Sequence, residues 1–389
     1  MPHLKVKPFD ISILETHSIK NPIITFYAKA CHSNDYLLGI EHAGEEFLLQ
    51  IKPDIHAYLL KYDKVTRPLK VNILKEAIAS VCDTLHLEVL SSNIAISNTK
   101  ATLSSEYFKK IKDFEDIHYP KNKLAVEVGF GSGRHLLYQA HKHPDTLFIG
   151  IEIHTPSAQQ VLKQVALQKL DNVWVVNYDA RLFLEMLDSN ICEHIFVHFP
   201  VPWDKKPQRR VISPSFLTES MRVLSVDGRL ELRTDSDKYF WYALETFFSK
   251  PKIQVEVRKN EALEITSKYE ARWLKKDKDI YDIYVKCKEN SEPKVLEIDF
   301  NFKTVKYDKG LEDTLVKKAM VFDRYFVHFE RLYKAGAKKL LIKCAFGSFD
   351  RPEHKYILLE EQGCRYFVAP PVKTSVNYEA HKKIMELLQ

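Results

Sequence analysis

The sequence predicts an α/β core, a mainly parallel sheet with helices on both faces, set between two flanks richer in strands. Three observations carry that reading. Between about residues 120 and 288, short apolar runs alternate with helix-like stretches. One such run, in "LAVEVGFGSG" (residues 124–133), passes directly into glycines at every second position, as a tight strand-to-helix turn requires. Upstream, Asn21 to Pro53 gives three strand-like runs broken by "HSND" and "HAGEE", the pattern of an antiparallel meander.

In chain order, residues 1–119 form an N-terminal accessory region. It holds the meander, a helix over residues 69–84 from apolar positions at helical spacing, and a second helix around Glu106 to Phe114. The stretch "HYPKNK" marks a boundary, and residues 120–288 form the α/β core. Residues 289–389, after "KENSEPK", form a C-terminal accessory region. Its strands are Lys339–Phe346 and Tyr356–Leu359, and its last helix is Asn377–Leu388. "CAFGSFDRPEHKY" (344–356) reads as a turn between strands, and the aromatic stripe 322–333 turns an apolar face to the core. The two flanks are candidates for one joint accessory unit, and no internal repeat is visible.

Composition narrows the class. With 389 residues, 45% of them hydrophobic, the chain can bury a sizeable core in two or three domains. It has no run of eighteen apolar residues, and its start, "MPHLKVKPFDISIL", lacks a signal peptide's apolar segment, so a cytoplasmic protein away from membranes is expected. Six scattered cysteines without a C-x-x-C pair, and no histidine cluster at ligand spacing, point to reduced thiols and no metal. His135, His141 and His143, after the glycine turn, read as surface residues. A net charge of +6 permits an anionic partner without demanding one.

Gly129, Gly131 and Gly133 do not fit a dinucleotide turn, because Arg134 stands where G-x-G-x-x-G needs its third glycine. An acidic residue in the strand, Glu127, followed by G-x-G-x-G resembles the S-adenosylmethionine-dependent methyltransferases, whose glycines open a shelf for the amino-acid end of the cofactor. The second strand, "TLFIGIEI", brings Glu152 to where an acidic side chain accepts from ribose hydroxyls. The third, "VWVVNYDA", brings Asp179 to where such enzymes hold the adenine amino group.

The fourth strand runs into "FPVPWDKKPQRRV" (199–211), with Lys205, Lys206, Arg209 and Arg210 beside the expected cofactor site, where doubly wound sheets take their substrates. Phosphates are the natural partners of such cations, and Trp203 either stacks on a base or packs the strand end. The order E-x-G-F-G-x-G, G-I-E, D-A, F-P-x-P-W-x-K, R-R, "LRTD", "SKYEARW" resembles the tRNA (guanine-N7)-methyltransferases of the TrmB type, over about residues 120–288. That resemblance implies a Rossmann-like class I S-adenosylmethionine-dependent core, and methyl transfer to N7 of guanosine 46 in the variable loop of tRNA. It assigns Glu127, Glu152 and Asp179 to the cofactor, and Lys205 and Asp235 to the substrate. Ser267, Lys268, Tyr269 and Glu270 match the family's T-K-F-E stretch, also assigned to substrate, and Arg209 and Arg210 join the phosphate contacts.

One position departs from the family. Its F-P-D-P-W motif has an aspartate where this chain has Val201. Asp204, Asp235 and Glu270 are the candidate substitutes, with Asp235, after the fifth strand, taken as the catalytic carboxylate. Two alternatives stay open: a methyltransferase acting on another RNA or a small molecule, and a non-catalytic tRNA-binding subunit. Monomer and homodimer are equally compatible with the sequence.

Overall fold

A computed structural model describes residues 2–17, 23–68, 70–94, 106–115, 117–265, 278–294, 297–303, 305–315 and 318–389. The N-terminal part runs β1 (His3–Val6), α1 (Ser12–His17), β2 (Ile24–Ala30), β3 (Tyr36–His42), β4 (Glu45–Asp54), β5 (Ala57–Tyr62), α2 (Val71–Thr84) and β6 (Val89–Ser92). The middle part follows as β7 (Lys123–Val128), α3 (Arg134–Lys142), β8 (Thr146–Ile151), α4 (Thr155–Gln168), β9 (Val173–Val176), α5 (Ala180–Phe183), β10 (Cys192–His198), α6 (Pro214–Val223), β11 (Leu224–Thr234), α7 (Asp237–Phe248), β12 (Gln254–Lys259) and β13 (Tyr281–Lys286). The last part holds α8 (Leu311–Thr314), β14 (Met320–Val321), β15 (Phe326–Lys334), β16 (Lys339–Gly347), β17 (Pro352–Glu360), β18 (Gly363–Phe367) and α9 (Ser375–Leu387). Two compact units result, one from residues 1–99 with 297–389 and one from residues 100–296. No helix among the described residues is long and apolar enough to cross a membrane.

The flanks share a single antiparallel sheet, in the order β18-β17-β16-β15-β2-β3-β4-β5-β1-β6, with β14 beside β15. Within it a topological repeat emerges that side-chain identity conceals. Strands β2 to β5 and then α2 form a four-stranded meander followed by a helix, and strands β15 to β18 and then α9 do the same. The two meanders meet through their first strands, with Ala30 opposite Tyr333 and Lys29 opposite Lys334 in antiparallel register. Antiparallel pairing of equivalent strands is what a two-fold axis through a sheet produces. In α2, Ile73, Leu74, Ala77, Ile78, Val81 and Cys82 are buried at helical spacing, and Ala380 and Ile384 do the same for α9. From Phe326 onward the aromatic stripe is strand β15, which sends Val327 and Phe329 inward.

The middle unit has the sheet order β12-β13-β11-β10-β7-β8-β9. All pairings from β9 to β11 are parallel, and β13 runs antiparallel between β11 and β12. Helices alternate with the parallel strands, and the reversed β13 inserted beside β11 makes this the class I methyltransferase arrangement. Alternate residues Leu124, Val126 and Val128 of β7, Ile195 and Val197 of β10, and Leu230 and Leu232 of β11 form the core on the face covered by α6 and α7. Residues 106–114 are a correction to the sequence reading. The expected helix is only a 3₁₀ turn at Ile111–Phe114, Phe108 bridges Val175, and Phe114 packs edge-on against Phe183 at 4.9 Å. Its aromatic residues anchor the segment to this unit's core, a demand stronger than local helix propensity.

Candidate active site

Strands β7 to β11 run the same way, and the order turns back between β7 and β10, so their carboxyl ends form the crevice where doubly wound sheets take ligands. The glycine turn opens there. Gly129, Gly131 and Gly133 have φ values of 70°, 54° and 72°, a region that other residues rarely adopt. Two of them do different jobs. A Cβ on Gly133 would lie 2.3 Å from Val161 Cγ2, so this glycine lets the start of α3 approach α4. A Cβ on Gly129 would meet nothing within 4 Å, which leaves its backbone bare beside open space.

At the end of β8, Glu152 accepts hydrogen bonds from the Gly131 N–H at 2.9 Å and the His154 N–H at 2.8 Å, which join the glycine turn to the start of α4. Ile153 beside it is 71% exposed, a large apolar side chain presented at the same strand end. A lone isoleucine in "GIEIH" carries no pattern, so sequence reading passes it over. After β9, Asp179 caps α5 by accepting from the Arg181 N–H at 3.0 Å, and Arg181 Nη2 donates to its other oxygen at 2.6 Å. Gly129, Glu152, Ile153 and Asp179 thus follow the ends of three neighbouring strands. An uncovered glycine backbone flanked by anchored carboxylates fits a nucleoside cofactor with a polar tail.

The turn after β10 supplies the other wall. Phe199 and Trp203 adopt left-handed φ values of 49° and 47°, at about 1–3 kcal/mol each, and such strain clusters at working sites. Val201 is 59% exposed, and Lys205, Lys206 and Arg209 are exposed as well. The Arg209 guanidinium lies 5.2 Å from the Trp203 ring centroid. Arg210 departs from the expected phosphate contact. It is only 7% exposed, with its guanidinium 4.3 Å from the Tyr242 ring centroid and its Nε donating to the Pro202 carbonyl at 2.7 Å. Asp235 follows β11 and accepts from Lys278 Nζ at 3.0 Å. Ser267, Lys268, Tyr269 and Glu270 lie outside the described residues.

A family profile described as a putative methyltransferase matches residues 121–283. A tRNA (guanine-N(7)-)-methyltransferase of Wolinella succinogenes is 40% identical over 360 residues, covering 92% of each chain. A protein of the same name from Campylobacter fetus subsp. fetus is 38% identical over 373 residues, covering 94% of each. The chain belongs to the tRNA (guanine-N(7)-)-methyltransferase family. It is a methyltransferase, and these relatives match its flanks as well as its core. Among solved structures, an antibiotic-related methyltransferase aligns with 46% of this chain and 98% of its own, at 18% identity and a TM-score of 0.35.

The opposite sheet face of this methyltransferase, towards α3, is unexpectedly polar. Glu127 is 3% exposed, and its carboxylate takes a 2.8 Å hydrogen bond from His135 Nδ1. His135 is therefore buried, where the sequence reading put it on the surface; the carboxylate one strand below makes the difference. The His135 and His198 rings are 4.5 Å apart, and His198 Nε2 bonds Glu231 at 2.8 Å. Arg233 Nη1 donates to both Asp282 oxygens at 2.7 Å. Burial raises the Glu231 carboxyl, yet His198 and Arg229 outweigh it and leave the group below its ordinary value. Burial, aided by Arg229, pushes His194 down to about 4. A cavity of about 620 Å³ opens on this face, lined by residues that include Phe196, Arg229, Glu231 and Tyr284. Among the described residues no cluster of histidine, cysteine or acidic groups could hold a metal.

Proposed function

We propose that this chain transfers the methyl group of S-adenosylmethionine to N7 of guanine in tRNA, at guanosine 46 of the variable loop, in the cytoplasm. One observation carries the reading. The same sheet edge bears the bare glycine turn with Glu152 and Asp179 and, on the strand beside it, a strained turn with three exposed cations. Cofactor and polyanion sites side by side are what group transfer to a nucleic acid needs.

The glycine turn holds the cofactor's amino-acid end, Glu152 its ribose, and Ile153 and Asp179 its base. Glu127, the third carboxylate assigned to the cofactor, is held by His135 at the start of α3, directly after the turn. When bound, S-adenosylmethionine supplies a methyl group on a sulfonium centre. Guanine N7 already carries a free lone pair, so no residue has to remove a proton, and the chain's work is alignment. Lys205, Lys206 and Arg209 grip phosphates while the guanine exposes its Hoogsteen edge. The product purine is cationic, and a nearby carboxylate lowers the cost of that charge. Asp235, at the end of β11 and paired with Lys278, fills this role.

Two tRNA transcripts that differ only at position 46 test the assignment. Methyl incorporation is expected with guanosine there and lost with adenosine; equal incorporation into both would overturn the position, and tight binding without incorporation into either would overturn the activity.

A further inference from the structure

We propose that Arg210 is a positioning residue, which locks the turn carrying Val201 and Trp203 and makes no contact with tRNA. Neighbouring arginines divide the work: Arg209 faces outward over the Trp203 ring, and Arg210 turns inward. The Arg210 guanidinium sits 4.3 Å from the Tyr242 ring centroid and 5.3 Å from that of Tyr239, both on α7. Tyr239 is fully buried and accepts the Ile212 N–H at 3.0 Å, which fixes the far end of the loop to the same helix. From this socket Arg210 Nε reaches the Pro202 carbonyl at 2.7 Å, and Nη2 lies 3.6 Å from Asp204 Oδ1.

The turn needs such a lock. Left-handed φ at Phe199 and Trp203 persists only where the surroundings over-determine the backbone. The Phe199 N–H donates to the Arg233 carbonyl at 2.7 Å, which pins the first end, and the bond from Arg210 to Pro202 pins the residue just before Trp203. Two prolines, Pro200 and Pro202, have no N–H with which to hold the turn from within. A guanidinium with two ring faces, a carbonyl and a carboxylate around it would have to leave all of them to meet a phosphate. Lysine cannot take its place, because a point charge on a flexible stem offers neither the planar face nor the directed Nε–H.

The kinetic part of the test rests on the function proposed above, and the backbone part does not. Arg210→Met, Arg210→Lys and Tyr242→Leu are made in the full chain and checked for folding by thermal melts. Hydrogen exchange is then read at the Phe199 and Lys206 amides, which donate to the Arg233 and Trp203 carbonyls at the two ends of the strained turn, with kcat and KM for tRNA and the dependence of log Kd on log[salt]. Arg210→Met is expected to speed exchange at these amides about tenfold or more. Saturating tRNA should leave kcat lowered by about ten- to a hundredfold, the reach of a small misplacement, with the salt slope unchanged. Arg210→Lys should fail to restore kcat. Tyr242→Leu, which keeps the charge but removes a ring, should shift exchange and kcat in the same direction, and it decides the matter if Arg210→Met does not fold. A salt slope smaller by about one in Arg210→Met, with kcat intact, would make Arg210 a phosphate ligand and overturn the proposal; unchanged exchange would overturn it too. If the wild-type chain methylates no tRNA, the exchange result alone decides the lock, so the two failures remain distinct.

Discussion

Alanine at Gly129 and alanine at Gly133 should injure the protein in different ways. Both glycines hold φ near 70°, and a left-handed alanine costs about 1–2 kcal/mol at either site. At Gly133 the new Cβ would also stand 2.3 Å from Val161 Cγ2, on a fully buried side chain of α4, where ordinary contact begins near 3.4 Å. Opening that gap adds about 1–3 kcal/mol of overpacking. Gly133→Ala should therefore lose about 2–5 kcal/mol of stability, and Gly129→Ala only about 1–2. At roughly 2–4 °C of Tm per kcal/mol for a domain of this size, the first variant melts visibly earlier than the second. Binding should rank them the other way. Gly129 is the position whose bare backbone faces open space, so a methyl group there intrudes on the cofactor. Urea unfolding gives the stabilities, and calorimetric titration with S-adenosylhomocysteine gives affinity per folded molecule. Gly129→Ala binding like the wild type, or losing as much stability as Gly133→Ala, would refute the division of roles.

Three further outcomes are expected. Asp235→Asn should lower kcat by about 2–4 kcal/mol of transition-state stabilisation, read as ΔΔG‡ from methyl-transfer kinetics, and an unchanged rate with unchanged tRNA affinity would remove Asp235 from the site. Neutralising Lys205, Lys206 or Arg209 singly should reduce the slope of log Kd against log[salt] by about one each, measured by tRNA titration across salt concentrations, and unaltered slopes would place these cations away from phosphate. His194 and His381 are each pushed down to about 4, chiefly by burial, whereas an unfolded histidine titrates near about 6.5. The unfolded chain therefore binds more protons in this window, and their contribution is whole above about pH 6.5 and is lost as pH falls towards 4. Thermal melts across this range should show Tm falling with pH, and a flat profile would contradict the burial of both rings.

Much of the site is legible because it rests on backbone demands. Alternate glycines after an apolar strand admit few conformations, and acidic residues closing successive strands fall at one sheet edge once those strands are parallel. Less legible is anything set by contacts distant in sequence. Glu127 and His135 are eight positions apart, yet the pairing depends on which face of β7 lies under α3, which the strand pattern alone leaves open. Arg209 and Arg210 are chemically identical neighbours, and only the tyrosines of α7 separate their fates. The repeat in the accessory unit escapes sequence reading because meanders tolerate any alternating apolar residues. The tight turn Ile55-His56 between β4 and β5 and its counterpart Glu361-Gln362 between β17 and β18 share no residue.

The most direct test of the central claim is the identity of the methylated base. Purified chain, unmodified tRNA and S-adenosylmethionine are incubated together, and the tRNA is digested to nucleosides for mass spectrometry. N7-methylguanosine as the product, formed with valine at position 201, is the result expected; a methyl group on any other atom, or none on tRNA that the chain binds tightly, would contradict the account.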